Sequence, residues 1–215
     1  MLAIVLLIGL IGWLIVDAAA FNTEKTVIAD MITAWAKEAE GMMILPEDIQ
    51  QPGEKAPKDA IARKMEQNNA VLGKYLTNDS ISWSLPPHQN IRSSLESAFE
   101  QNNDGCAYVT ECTLEIVKVE KLKKLGANIA VGNITVRAGI RTIGQPMFLR
   151  LFYTEPAGTN YGGAMKEQVT VYEISGSSEI DTEAHSYTSE VTYIDVYFKK
   201  TDGTWKVAGI SGYNF

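Results

Sequence analysis

Few residues in this chain have the chemistry to act on a substrate. Asp195 stands between Tyr193 and Tyr197 in "TYIDVYF", and alternate residues of an extended strand share one face. A carboxylate flanked by phenols would suit a general base facing an acid, if an apolar pocket shifted its pKa. His185, just after "EIDTEA", is the second candidate base. The same alternation equally describes a solvent-facing strand. No set of residues dictates a reaction, so the expectation is a protein that is not an enzyme.

Metal chemistry finds no better footing. Asp181, Glu183 and His185 alternate and would align if that stretch were extended, but one His with exposed acids is a weak ligand set. We read them as a polar loop or edge strand. Two cysteines, Cys106 and Cys112, lie in "CAYVTEC" without a CxxC or Cys/His metal spacing. A disulfide between them requires residues 107–111 to fold back, since six strand residues span roughly 20 Å and a bridge needs Cα atoms within about 7 Å. Two separately buried thiols are the other possibility. No cofactor and no metal are expected.

The charge balance narrows the partners. Net charge is −7, whereas nucleic-acid binders carry a basic field to neutralise phosphates; direct nucleic-acid binding is not expected. One local exception is "VKVEKLKKL" (117–125), with Lys118, Lys121, Lys123 and Lys124, read as a solvated strand end and turn.

These residues must be positioned by the rest of the chain, which opens on a run of apolar residues. Positions 2–16 hold no charged side chain, and adding residues 18–21 reaches the roughly 20 residues a bilayer core requires. "AAA" before Phe21 would suit a signal-peptidase site, but the basic segment that precedes such a site is missing. No Pro or Gly lies between Trp13 and Lys37, and apolar residues continue at helical spacing through Met31, Trp35, Met42 and Met43. We expect one continuous helix, with 1–21 a retained anchor (or an uncleaved signal) and 22–215 an α+β domain. The Met31, Trp35, Met42 and Met43 stripe is core against a sheet or, alternatively, an exposed docking stripe. Lys25 and Lys37 follow the span, which by the positive-inside rule alone would keep the domain inside.

Further along, "LPEDIQQPGEKAP" (45–57) reads as a loop, and a second helix opens at Lys58 or Asp59 with Ile61, Met65, Leu72, Tyr75 and Leu76 on its apolar face. A short third helix carries Ile91, Leu95, Ala98 and Phe99 and stops at "QNNDG". From Cys112 the period changes to two. Strands are expected in "TLEIVKVEKL", "NIAVGNITVRAGI", "PMFLRLFYTE" (146–155) and "EQVTVYEIS" (167–175), then in "SEVTYIDVYFKK" and "TWKVAGISGYNF" joined by "TDG". A block of helices followed by long antiparallel strands gives an α+β class, with helices on one face of a curved, mainly antiparallel sheet.

Three helices and a meander closing on "VYFKKTDGTWKVAGI" resemble the nuclear-transport-factor-like (cystatin-like) cone fold. Tyr197, Phe198, Gly203, Trp205, Lys206 and Val207 stand where that superfamily carries an aromatic before its last turn and a Gly-Trp-Lys-Val-like strand after it. "LGKYLTNDSISW" (72–83) is similar to the segment leaving the second helix. With an N-terminal anchor, the chain resembles the VirB-type and TcpC-type scaffold proteins of type IV secretion and conjugation machines. That resemblance implies a single-pass protein of the cytoplasmic membrane with an extracytoplasmic domain, no catalysis, self-association and docking to other channel subunits. The same superfamily includes isomerases and dehydratases working in the cone's cavity. The alternative is therefore an exported small-ligand binder or isomerase-like enzyme with Tyr193, Asp195, Tyr197 and His185 at its pocket.

Overall fold

A computed structural model describes residues 2–82, 85–156 and 180–214, with side chains from Phe21 onward. Helix α1 spans Leu2–Ala39 as one element, α2 Lys58–Tyr75 and α3 Pro87–Asp104. Strands follow as β1 (Tyr108–Gly126), β2 (Ile129–Ile143), β3 (Met147–Leu149), β4 (Thr154–Pro156), β5 (Ala184–Thr201) and β6 (Thr204–Asn214). The main sheet has the order β1-β2-β5-β6 and every pairing in it is antiparallel, while β3 and β4 form a separate two-stranded hairpin. The class is α+β, with three helices packed on a mainly antiparallel sheet.

Each helix buries the face its period marks out. From α1, Ile28, Ile32, Trp35, Ala36 and Ala39 are buried, a stripe at spacings of three and four. Pro87 opens α3 at the first helical position, where its missing N–H costs nothing. The third helix thus begins four residues before Ile91 and runs through most of "QNNDG" to Asp104. It is not the short element expected. Leu76 leaves α2 in an extended conformation and bridges Val207 of β6.

The β5–β6 turn is the two-residue form that "TDG" announces. Asp202 (φ 51°) and Gly203 (φ 79°) both take left-handed backbone, as a type I′ turn demands. On the face away from the helices, Arg137 reaches Glu115 on β1 at 2.9 Å and Glu190 on β5 at 3.0 Å. That face is a solvated charge ladder.

Two strand expectations change. Residues 146–155 are not one strand but the β3–β4 hairpin with a four-residue loop, Arg150–Tyr153. "EQVTVYEIS" (167–175) lies outside the described residues. As for the anchor, α1 joins leader and amphipathic stretch in one helix. Among residues with described side chains no helix is long and apolar enough to cross a membrane, and residues 1–20 lie outside that set.

Candidate functional site

Between the helices and the sheet the chain places its own β3–β4 hairpin. Phe148, Leu149, Leu151 and Phe152 are all buried. Two devices hold the hairpin in place. Asn102, near the end of α3, acts as a strand surrogate: its Nδ2 donates to Met147 O at 2.7 Å, and Met147 N–H donates to its Oδ1 at 2.6 Å. Trp35 Nε1 donates to Leu151 O at 3.1 Å.

Inside this plug sits a polar cluster that the sequence reading did not single out. Arg150 and Glu155 form an ion pair with side chains only 5% and 2% exposed. Removing two charges from water costs several kcal/mol per ion before their attraction returns it, so the pair is a commitment to this geometry. Tyrosines surround it. Tyr153 stacks on Tyr213 with centroids 4.6 Å apart, and Phe152 meets Tyr193 edge-on at 4.8 Å. Burial pushes the Tyr193 and Tyr153 phenols well above their ordinary range. They stay protonated at neutral pH and can donate a hydrogen bond, but they cannot serve as bases. Among the described residues neither hydroxyl meets a partner at regular hydrogen-bond geometry.

The expected pocket residues do not converge on this cluster. Tyr193 is fully buried and belongs to it, but Asp195 is exposed. The cause is a bulge. Ile134 pairs with Tyr193 while Gly132 pairs with Val196, so β5 spends three residues where β2 spends two. Asp195 takes the left-handed conformation (φ 48°), and its N–H donates to Asn133 Oδ1 at 3.1 Å. The expected common face of Tyr193, Asp195 and Tyr197 is therefore broken: Tyr193 points in, Asp195 out, and Tyr197 is half-buried.

His185 lies ten residues from Asp195 along β5, roughly 33 Å at strand rise. Its Nε2 is 3.0 Å from Asp181 Oδ2. No group of three or more possible metal-ligating side chains occurs among the described residues.

Two further placements correct the candidate list. Trp35, Met42 and Met43 are core, with at most 4% exposure, and Met31 packs against them. They are not a docking stripe, because the helix turns that face onto the sheet. Cys106 and Cys112 are free thiols rather than a disulfide. Residues 108–112 run as strand β1 instead of folding back, and burial pushes the Cys112 thiol up to about 12.

A second region gathers chemistry at one end of the sheet. The β1–β2 and β5–β6 turns lie side by side there, with Lys200 N–H donating to Asn128 O at 2.8 Å. Helix α1 crosses the same end: Glu24 takes a bond from Lys200 Nζ at 2.6 Å and another from Trp205 Nε1. Lys200 first, then Trp205, holds the Glu24 carboxyl below its usual value.

No family profile matches this chain, and no curated protein matches it. Among solved structures, it is similar to an NTF2-like protein of unknown function from Prochlorococcus, 16% identical, over 70% of this chain and 88% of that one, with a TM-score of 0.30.

Proposed function

We propose that this chain is a membrane-anchored, non-enzymatic scaffold component of a bacterial type IV secretion or conjugative transfer machine. Residues 1–21 are the anchor. The α+β domain, 22–215, lies on the extracytoplasmic side of the cytoplasmic membrane and works by self-association and by docking to other channel subunits. The observation that carries this reading is the single helix α1. Its domain half is core, rooted by the fully buried Ile28, Ile32 and Trp35, and its other half continues without a break into the apolar leader. A helix built this way ties domain position rigidly to the anchor, which a disposable export signal has no need to do. The machine and the side of the membrane follow from the resemblance to VirB-type and TcpC-type proteins.

The filled interior supports the non-catalytic half of the reading. A hairpin core occupies the place of a substrate, and Asp195 faces solvent. The test is intact-mass analysis of the membrane fraction after alkaline carbonate washing, with light scattering of the detergent-purified chain. A chain beginning at Met1, retained in the pellet and larger than a monomer, is expected. A mature N-terminus at Phe21 would end the anchored reading.

One observation favours the second reading, an exported small-ligand binder or isomerase-like enzyme. Two buried phenols face the Arg150–Glu155 pair without regular partners among the described residues. On that reading the ligand would meet Tyr193 with Tyr153, Arg150 and Glu155, in place of the exposed Asp195 and the distant His185. It predicts that Tyr193→Phe removes ligand-induced thermal stabilisation while Asp195→Asn leaves it intact.

A further inference from the structure

The end of the sheet from which α1 leaves is also the basic end of an acidic protein. In 117–128, four lysines stand against one glutamate, in a chain of net charge −7; in the neighbouring segment 197–206 Lys199 is paired with Asp79, Lys200 with Glu24, and Lys206 donates to Gly73 O. The two turns that carry these segments are adjacent. At the β1–β2 tip the backbone is bulged between Glu120 and Lys123, with Lys121 left-handed (φ 54°). This swings Lys121 and Lys123 outward, and both are exposed. Leu125, at 54% exposure, is the apolar point of the tip, and Val27 on α1 is 47% exposed on the same end. Between α1 and β1 lies an open cleft of about 340 Å³, lined by Lys25, Ala29 and residues 119–122.

Lysines on an open edge have a plainer role, blocking strand addition by another chain. That role explains charge along the edge. It does not explain why the charge gathers at one end of the sheet with an exposed leucine at the point. The direction of α1 supplies the rest. Glu24 sits at the turns, whereas Glu40 accepts from Leu114 N–H toward the other end of β1, so residues 2–20 leave beyond the tips. At 1.5 Å per residue those 19 residues span roughly 28 Å, close to the thickness of a bilayer's hydrocarbon core.

We infer that the β1–β2 tip, with Lys121, Lys123 and Leu125, rests on an anionic lipid surface and fixes the tilt of the domain over its anchor. The inference rests on the anchored reading above for its geometry. The lysines meet lipid phosphates as point charges, and Leu125 enters the headgroup boundary. Juxtamembrane lysines act together, and two of them contribute roughly thirtyfold to surface affinity at low salt. That contribution fades once the Debye length shrinks to a few Å.

The test uses the full chain reconstituted into vesicles of phosphatidylcholine alone or with 30% phosphatidylglycerol, read by flotation and by hydrogen exchange of the β1–β2 tip. Expected is exchange at least tenfold slower at the tip on the anionic vesicles, reversed by 0.5 M salt and absent in the Lys121→Glu/Lys123→Glu variant, which still floats. Equal exchange on both vesicles, or protection indifferent to salt, overturns the inference and leaves the anchor standing. Salt-sensitive tip protection in a chain that floats only with anionic vesicles does the reverse. Protection by a DNA oligonucleotide but not by vesicles also overturns it. The salt arm decides the matter if the double variant does not fold.

Discussion

Along its β6 edge the sheet is closed by the chain itself. Thr77 N–H donates to Val207 O at 2.9 Å, Ile81 N–H to Ala208 O at 2.7 Å, and Ser82 Oγ to Ile210 O at 3.0 Å. The β1 edge is capped only near its start, where Ile44 bridges Val109 and Glu40 Oε1 takes the Leu114 N–H at 3.0 Å. Beyond Leu114 no backbone segment covers that edge among the described residues; lysines and bulges do the work instead. One flank is sealed by main-chain bonds and a packed interior. The other is kept open and charged, and it is the flank beside which α1 departs. Stability is therefore concentrated on the β6 side, and surface chemistry on the β1 tip.

The sharpest way to break that contrast is Gly209→Val. A Cβ at this position would run into the carbonyl of Ile81, in the segment that seals β6. Backbone cannot step aside as a flexible side chain can. The substitution either detaches 76–82 or distorts β6, and a loss of more than about 4 kcal/mol is expected. Urea denaturation followed by tryptophan fluorescence checks it. A loss below about 1 kcal/mol would show that the β6 seal contributes little.

Next in size is the plug on the same side. Glu155→Ala strands the Arg150 guanidinium in the interior and should cost about 3 kcal/mol. The double variant Arg150→Met/Glu155→Leu removes both charges at similar volume and should recover most of that loss. If the double variant is as unstable as the single one, the pair is doing more than satisfying its own burial. The ligand-binding reading would then gain weight.

These two sites differ in how far the sequence announced them. The helices were legible because Ile61, Met65, Leu72 and Tyr75 repeat at helical spacing, and the last hairpin because "TDG" fits one turn type. The β3–β4 hairpin was not. Its loop, "RLFY", carries no Gly, Pro or Asn to mark a turn. Its hydrophobic run reads as a strand unless one knows that Trp35 and Asn102 supply the missing bonds. The Asp195 bulge left a trace that a strict period of two overlooks: the buried residues of β5 fall at 187, 191, 193, 196 and 198, a slip of one after 193. Cys112 was open in sequence because a loop and a strand make opposite demands on it, and only the β1–β2 register decides between them.

At the end of the sheet from which α1 departs the effects should be smaller and sensitive to pH. Glu24→Gln weakens the tie between α1 and the β5–β6 turn, for an expected loss of about 1 kcal/mol at neutral pH. Because Lys200 and Trp205 lower the Glu24 pKa on folding, this contribution is complete above its ordinary value of 4.5. It disappears as pH falls through the lowered folded value. The stability gap between variant and native chain should close in acid and stay constant above about pH 5.5. A gap that widened in acid would mean Glu24 is not held by these two donors.

The smallest effects compare two bulges that share a backbone conformation and differ in surroundings. Lys121 (φ 54°) and Asp195 (φ 48°) both pay for left-handed backbone that glycine adopts freely. Glycine at either position should be neutral to stabilising by about 0.5 kcal/mol, since the relieved strain is offset by a more flexible unfolded chain. Asp195→Val, which forces a β-branched residue into that conformation, should cost about 1–2 kcal/mol. The Asn133 bond is to the Asp195 backbone N–H, so it survives all of these changes. Asp195→Gly thus separates geometry from chemistry. If the carboxylate matters only as a residue that tolerates the bulge, the variant keeps every property of the native chain. Lys121→Gly keeps the fold as well, yet by removing a charge from the tip it should weaken the tip's hold on anionic vesicles about fivefold, read as hydrogen exchange of the tip while the anchored chain still floats. Equal stability with unequal protection of the tip is what a sealed flank and an open one predict for the same backbone change.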